Sequence, residues 1–276
     1  MKIKNYIVRK KQALLITILI SVPFLLGAFF SVNPATNEEE LVLIPAVKER
    51  KMGRNFDEAV KKHFTLPVDP LVESRVRELG GKLAKHADRK ELVYRFTVIN
   101  DKRENNYNAF AAPGGYIYIF DDLVELLDTD DNIAAVLAHE IGHIEAKHSV
   151  KRMQGSLAAT LLLLASGQAQ REQGTHAATN MAIGQLLSAY SRHDERQADE
   201  LSVKYMRRAG FNTNGILGAL GKLRKERKEA PRMAYFTFKS HPYLSERVAY
   251  LKTHINGYTD FESYINLVSD EEITEK

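Results

Sequence analysis

Ile133-Ala134-Ala135-Val136-Leu137-Ala138-His139-Glu140-Ile141-Gly142-His143 is the stretch whose reading decides the fold. Its first six residues are an apolar run of helical character, and the polar residues follow directly. On a helix, positions i and i+4 share a face, so His139 and His143 can present both imidazoles to one ion. Neutral imidazole is a good zinc ligand. Glu140 lies about 100° further round the helix. There it can flank an attacking water rather than the ion, take its proton and pass it to a leaving group.

A hydrolytic zinc site takes three protein ligands and keeps one position open. The three-histidine variant would need His at 149 and Gly at 146, where this chain has Ser149 and Ala146. His148 is off by one position and reads as a structural residue. Ser191-Arg192-His193-Asp194-Glu195-Arg196-Gln197-Ala198-Asp199 offers carboxylates instead. Glu195 and Asp199 are again four apart, so one can bind the ion while the other orients a ligand imidazole. A solvated charged helix face is the competing reading of that run.

Composition narrows the field. The 276 residues allow one sizeable domain with a short appendage. There is no cysteine, so disulfides, thiolate zinc sites and cysteine nucleophiles are excluded. Of 39 lysines and arginines, five fall in the first eleven residues, which leaves 34 against 35 acidic residues. The body is close to neutral and has no basic stripe, so no nucleic-acid partner is expected.

The basic start (residues 1–11) precedes an uncharged run whose apolar core, Ala13 to Val32, is 20 residues long. That length suits a transmembrane helix, here assigned to 12–33. Glu38, Glu39 and Glu40 follow it. Positive charge before the span places the N-terminus in the cytoplasm and the body outside. Phe29-Phe30-Ser31-Val32-Asn33-Pro34 offers no small-x-small cleavage site, so the span reads as an uncleaved anchor.

Residues 34–68 read as a linker or irregular lead-in. A helix begins at Asp69-Pro70, a cap followed by proline, with Val72, Val76, Leu79 and Leu83 on one face. Tyr94–Ile99 and Tyr116–Phe120 read as strands, joined through the turn-rich Asn108–Gly115. Asp128, Asp130 and Asp131 are candidate caps for a helix over about 131–150. Further helices are expected near 156–167, 177–190, 193–209 (stopped by Gly210) and 244–256. Residues 69–256 form the domain and 257–276 an acidic tail. This order predicts an α+β fold, mostly helical with a small sheet, preceded by one transmembrane helix.

Taken together, His139-Glu140-x-x-His143 and Glu195-x-x-Ala198-Asp199 resemble the zinc metallopeptidases that include HtpX, the Oma-type mitochondrial protease, BepA and the type I CAAX prenyl endopeptidase. The resemblance covers roughly 69–256. It implies a zincin-like (gluzincin) domain with one zinc ion per chain, held by His139, His143 and Glu195. Glu140 would be the base and Asp199 the acid that fixes a ligand imidazole. Ser240-His241-Pro242 and Arg247 resemble the family's His-Pro motif and the arginine that follows it, assigned to the developing oxyanion. Asn108-Ala109-Phe110 with Pro113-Gly114-Gly115 resembles the edge strand on which an extended substrate is laid. The extra membrane spans of HtpX and the prenyl endopeptidase are absent. Unfolded or misassembled membrane and envelope proteins are the implied substrates. A zinc-bound chaperone or adaptor with suppressed cleavage is the alternative. No oligomeric state follows from the sequence.

Overall fold

The structure is a computed structural model that describes residues 29–64, 69–100, 106–155, 188–229 and 240–257. Three strands form the central sheet: β3 (Arg95–Ile99), β4 (Ala109–Ala112) and β5 (Tyr116–Phe120). The order is β3-β5-β4, with β5 parallel to β3 and antiparallel to β4. β5 is therefore central and buried on both faces. Its alternation serves two cores, as a strand's period of two requires. Ile117 and Ile119 point into the main core with Phe96, Val98, Ala109 and Ala111. Tyr116, Tyr118 and Phe120 point the other way, with Phe110 and Ile99.

Helix α1 (Ala46–His63) covers that second face through Phe56 and Val60. This corrects the linker expected over 34–68. The inward stripe of α1 is Glu49, Gly53, Phe56 and Val60, a helical spacing in which two of the four positions are not apolar. Glu49 is buried because Arg89 meets it, Nη2 to Oε2 at 2.6 Å and Nη1 to Oε1 at 3.2 Å. Arg89 Nη1 also donates to Ile144 O (2.9 Å), and Glu49 Oε1 accepts from Gly114 N (3.1 Å). One ion pair thus ties α1, the β4–β5 turn and the end of the His139–His143 helix.

The other face of the sheet carries α2 (Pro70–Ala84), against β3, and α4 (Asp130–Glu145), against β4 and β5; the short α3 (Asp121–Leu126) follows β5. Asp69 caps α2 by accepting from Leu71 N at 2.8 Å, as expected of Asp-Pro. Thr129, rather than one of the three aspartates, caps α4 by accepting from Asn132 N at 3.2 Å. Asp130 and Asp131 instead sit in the first turn, where their charge suits the helix dipole. α4 is buried almost all round and packs on α2, α5 (Arg192–Ala209) and α6 (Asn214–Glu229). α7 (Leu244–Asn256) closes against α5 and α6. A capping box of Ser191 and Asp194 starts α5, and Gly210 at φ 79° ends it. The helix α6 was not anticipated. The expected helices at 156–167 and 177–190 lie outside the described residues, apart from 188–190, which are not helical.

The expected transmembrane helix falls largely on residues outside those described, as does the tail beyond 257. Its end is corrected. Phe29–Val32 is strand β1, paired antiparallel with β2 (Glu39–Val42). Asn33 turns the chain, its Oδ1 accepting from Ala35 N at 2.9 Å. Among the described residues no helix is long and apolar enough to cross a membrane.

Removing one partner of a buried ion pair leaves the other charge uncompensated. Glu49→Ala is expected to cost about 3–5 kcal/mol of folding free energy. Urea denaturation checks this, and a loss below about 1 kcal/mol, the range of an exposed pair, would contradict it.

Candidate active site

α4 and α5 cross where Gly142 meets Ala198. A Cβ added at Gly142 would stand 2.8 Å from Ala198 O, so only glycine allows this approach. Gly142 lies beside His143 in sequence, and Ala198 lies between Glu195 and Asp199. The close crossing therefore sets how near the two imidazoles come to the two carboxylates.

His139, His143, Glu195 and His241 converge, each offering one ligand atom, all within 4.8 Å of one another. His139 Nε2 lies 3.0 Å from His143 Nε2 and 3.3 Å from His241 Nδ1. Glu195 Oε2 lies 3.4 Å from His139 Nε2, and Oε1 lies 3.5 Å from His143 Nε2. Glu195 Oε1 is also 3.0 Å from His241 Nδ1. A tetrahedron with ligand bonds of about 2.0–2.1 Å has edges of about 3.3–3.4 Å. The observed separations match those edges, and the imidazole and carboxylate donors suit zinc. The cluster fits a single zinc ion.

Electrostatics agree. Burial and the Arg247 charge push His139 down, but hydrogen bonds to Asp199 and Glu195 outweigh them and hold it up at about 9. The pocket thus favours added positive charge. Burial opposes ionisation of Glu195 and Asp199, yet Arg247 holds both below the usual carboxylate range. Burial pushes Glu140 above that range, and its buried Oε2 has no hydrogen-bond partner among the described residues. Such a carboxylate is free to handle a proton.

The outer partners are specific. His139 Nδ1 faces Asp199 Oδ1 at 2.9 Å. Asp199 is gripped by Arg247, Nη2 to Oδ1 at 2.7 Å and Nε to Oδ2 at 2.9 Å, while Arg247 Nη1 is 2.8 Å from Glu195 Oε2. The guanidinium expected at an oxyanion meets two carboxylates here and braces them. His241, expected as an oxyanion donor, stands within the ligand cluster, with Nε2 3.3 Å from Glu140 Oε1. Its position is set by Ser240, whose Oγ donates to Asn108 Oδ1 (3.1 Å) and whose carbonyl accepts from Tyr190 N (3.0 Å).

His148 and Tyr190 are contributors the sequence did not reveal. α4 ends at Glu145, Lys147 takes φ 57°, and a second helical run covers 148–155. That kink returns His148 to His143, with Nδ1 to Nδ1 at 2.8 Å. His148 Nε2 lies 3.0 Å from Gln197 Oε1, and burial pushes His148 down to about 4, so it is neutral. A neutral His148 that donates from Nε2 to Gln197 must accept at Nδ1. His143 then donates from Nδ1, and its Nε2 lone pair points into the cluster. Tyr190 stacks on the His143 ring, centroids 3.9 Å apart. His148 is no ligand, but it fixes one. A regular helix would not bring residues five apart together, which is why the spacing hid it.

β4 is an edge of its sheet. Phe120 N donates to Asn108 O (3.0 Å), so by alternation the Ala109 and Ala111 main chains face the outer edge. Ala109 N is met by Asn108 Oδ1 at 2.9 Å. Asn108 and Ala109 border an open cleft of about 540 Å³ together with His139, Glu140, His241 and Arg247. Phe110, expected with them, turns its side chain into the opposite core.

Metallopeptidase chemistry needs a carboxylate beside the ligand imidazoles, and Glu140 stands there. Residues 70–255 match Peptidase family M48, and the chain belongs to that family. It is similar to the Beta-barrel assembly-enhancing protease of Escherichia coli (strain K12), 27% identical over 222 residues, covering 76% of this chain and 44% of that protein. It is also similar to Metalloprotease YcaL of the same organism, 28% identical over 192 residues, covering 67% of this chain and 73% of that protein. Mitochondrial metalloendopeptidase OMA1 of Saccharomyces cerevisiae is 36% identical over 115 residues, covering 41% and 32%. The chain spans less than half the length of the first of these relatives.

His148→Phe keeps a ring but removes the acceptor for His143. It is expected to weaken zinc binding about 10–100-fold in a chelator competition, the usual range for an outer partner of a ligand. His148→Asn, which can still accept, should restore part of the loss. Unchanged affinity in His148→Phe would contradict the relay.

Proposed function

We propose that this chain is a membrane-anchored zinc endopeptidase whose substrates are unfolded or misassembled envelope and membrane proteins. One observation carries the peptidase chemistry: buried Glu140 Oε2 has no hydrogen-bond partner among the described residues and lies beside a ligand cluster of zinc dimensions. His139, His143 and Glu195 would hold the ion, with His241 Nδ1 within reach as a fourth ligand. A bound zinc ion supplies Lewis-acid polarisation of the scissile carbonyl and acidifies a water.

The chain's own residues do the rest. Glu140 takes the proton from the attacking water and delivers it to the leaving amine nitrogen. Its raised proton affinity suits both halves of that transfer. Asp199 holds the His139 ring, and Arg247 keeps Asp199 and Glu195 ionised and in place. The β4 edge accepts an extended main chain through Ala109 and Ala111, which gives tolerance of sequence. Leu123, Val136, Ile216, Leu220 and Leu223 line the cleft beside Glu140 and receive an apolar side chain.

The membrane reading rests on the sequence: five basic residues, an uncharged apolar run and then three glutamates. That order puts the N-terminus in the cytoplasm and the catalytic domain on the outer side. The names of the relatives, one enhancing β-barrel assembly, support an envelope substrate. A second reading draws on His241. A hydrolytic site keeps one position open, and His241 Nδ1 is close enough to the other three ligand atoms to fill it. A zinc-bound chaperone or adaptor with suppressed cleavage would have this arrangement.

Activity separates the two. The full chain in detergent is expected to cleave casein. Glu140→Gln should slow that cleavage by about 10²–10⁴-fold, the contribution of a general acid–base, while keeping its zinc. Glu195→Ala should lose zinc. Equal behaviour of wild type and Glu140→Gln on several unfolded substrates would sink the peptidase reading and favour the chaperone.

A further inference from the structure

The inward side of the β1–β2 hairpin is fastened by polar groups beside the buried Val42. Asn33 and Glu40 are buried and joined, Asn33 Nδ2 donating to Glu40 Oε2 at 3.3 Å and to Glu145 O at 2.9 Å. Lys147 and Lys151 also pair with Glu40. Gln154 fastens the far side, its Oε1 accepting from Leu43 N (3.0 Å) and Ile44 N (2.9 Å) and its Nε2 donating to Leu41 O (3.3 Å). Three of the four outward strand positions are apolar, the fourth being Glu39. Phe30 is 77% exposed, Val32 56% and Leu41 40%. Phe30 and Leu41 are direct cross-strand partners, so their side chains form one patch.

A strand pair normally turns its apolar side to the core. Here polar contacts anchor the hairpin to the end of the active-site helix and leave the apolar face outward. Exposed apolar groups gathered on one face mark an interaction surface. The sequence states what lies beside it. The chain enters β1 directly from the uncharged run that begins at Gln12, and Phe30 and Val32 lie at the end of that run's apolar core, Ala13 to Val32.

We infer that the outer face of the β1–β2 hairpin, through Phe30 and Leu41 with Val32 at the rim, rests in the lipid interface and fixes the orientation of the catalytic domain on the membrane. This rests on the reading of the preceding run as a membrane anchor. Aromatic and aliphatic side chains on one face of an interfacial element enter about 5–10 Å into the headgroup boundary. The Phe30–Leu41 pair is near the end where the anchor joins. Glu39, opposite Val32, stands two residues nearer the tip, about 7 Å further along the strand. The polarity gradient along the outer face thus follows the expected depth. Because the inner face holds Glu145 and the 148–155 helix, the hairpin links membrane contact to the element that positions His143 and His148.

The chain has no cysteine, so single-cysteine labelling needs no background removal. Phe30→Cys, Leu41→Cys, Glu39→Cys and, as a remote exposed control, Leu71→Cys would each carry an environment-sensitive fluorophore. The full-length protein would be placed in phosphatidylcholine–phosphatidylglycerol vesicles, with zinc content confirming the fold. Labels at 30 and 41 are expected to shift to the blue and be quenched by lipid-borne nitroxide. The label at 39 should respond less, and the label at 71 should stay water-like. If the protein floats with vesicles but positions 30 and 41 stay water-like, the hairpin inference fails and the anchor survives. If those labels are shielded yet insensitive to lipid nitroxide, a protein surface covers the patch and the lipid inference is overturned. If the protein does not float at all, the anchor reading falls and takes this one with it.

Discussion

The crossing of α4 and α5 at Gly142 and Ala198 is the constraint on which the rest of the site depends. Two helices that touch backbone to backbone have little freedom of separation or rotation. His139 and His143 are one residue or three from Gly142, and Glu195 and Asp199 are three and one from Ala198. Their spacing follows from the crossing, not from side-chain adjustment. The sheet and α1 hold this pair from outside through the buried Glu49–Arg89 ion pair, which reaches the carbonyl of Ile144.

Around the crossing, like charges are gathered and then balanced. Glu140, Glu195 and Asp199 are all buried, and Arg247 is the fixed cation that meets two of them. Three buried carboxylates against one guanidinium leave a demand for positive charge. In the histidine cluster that demand appears as the raised proton affinity of His139. A divalent ion satisfies it and is matched by the ligand spacing. The same arrangement makes Arg247 a brace for Asp199 and Glu195. It also brings His241 among the ligands, held there by Ser240 against Asn108 and Tyr190.

Features carried by short local patterns were legible in the sequence. The Asp69-Pro70 cap, the Tyr116–Phe120 strand, the Gly210 stop and the two i, i+4 pairs are each decided within one turn or strand. Features that need tertiary partners were not. α1 presents Glu49 and Gly53 on its inward stripe, and no periodicity argument counts these as core. Arg89, which makes Glu49 acceptable there, is 40 residues away. His148 meets His143 only because Lys147 adopts a left-handed conformation. The end of the apolar N-terminal run looked like the end of a helix. Phe29–Val32 pairs instead with a strand whose partners, Lys147, Lys151 and Gln154, lie more than 100 residues on.

The central claim is that the helix crossing builds one zinc site from imidazole and carboxylate. X-ray absorption at the zinc edge, on the full-length protein with metal stoichiometry measured in parallel, tests it most directly. The account predicts one zinc per chain with two or three imidazole nitrogens and carboxylate oxygen at about 2.0–2.1 Å. Zinc surrounded only by oxygen at longer distances, or a stoichiometry well away from one, would contradict it.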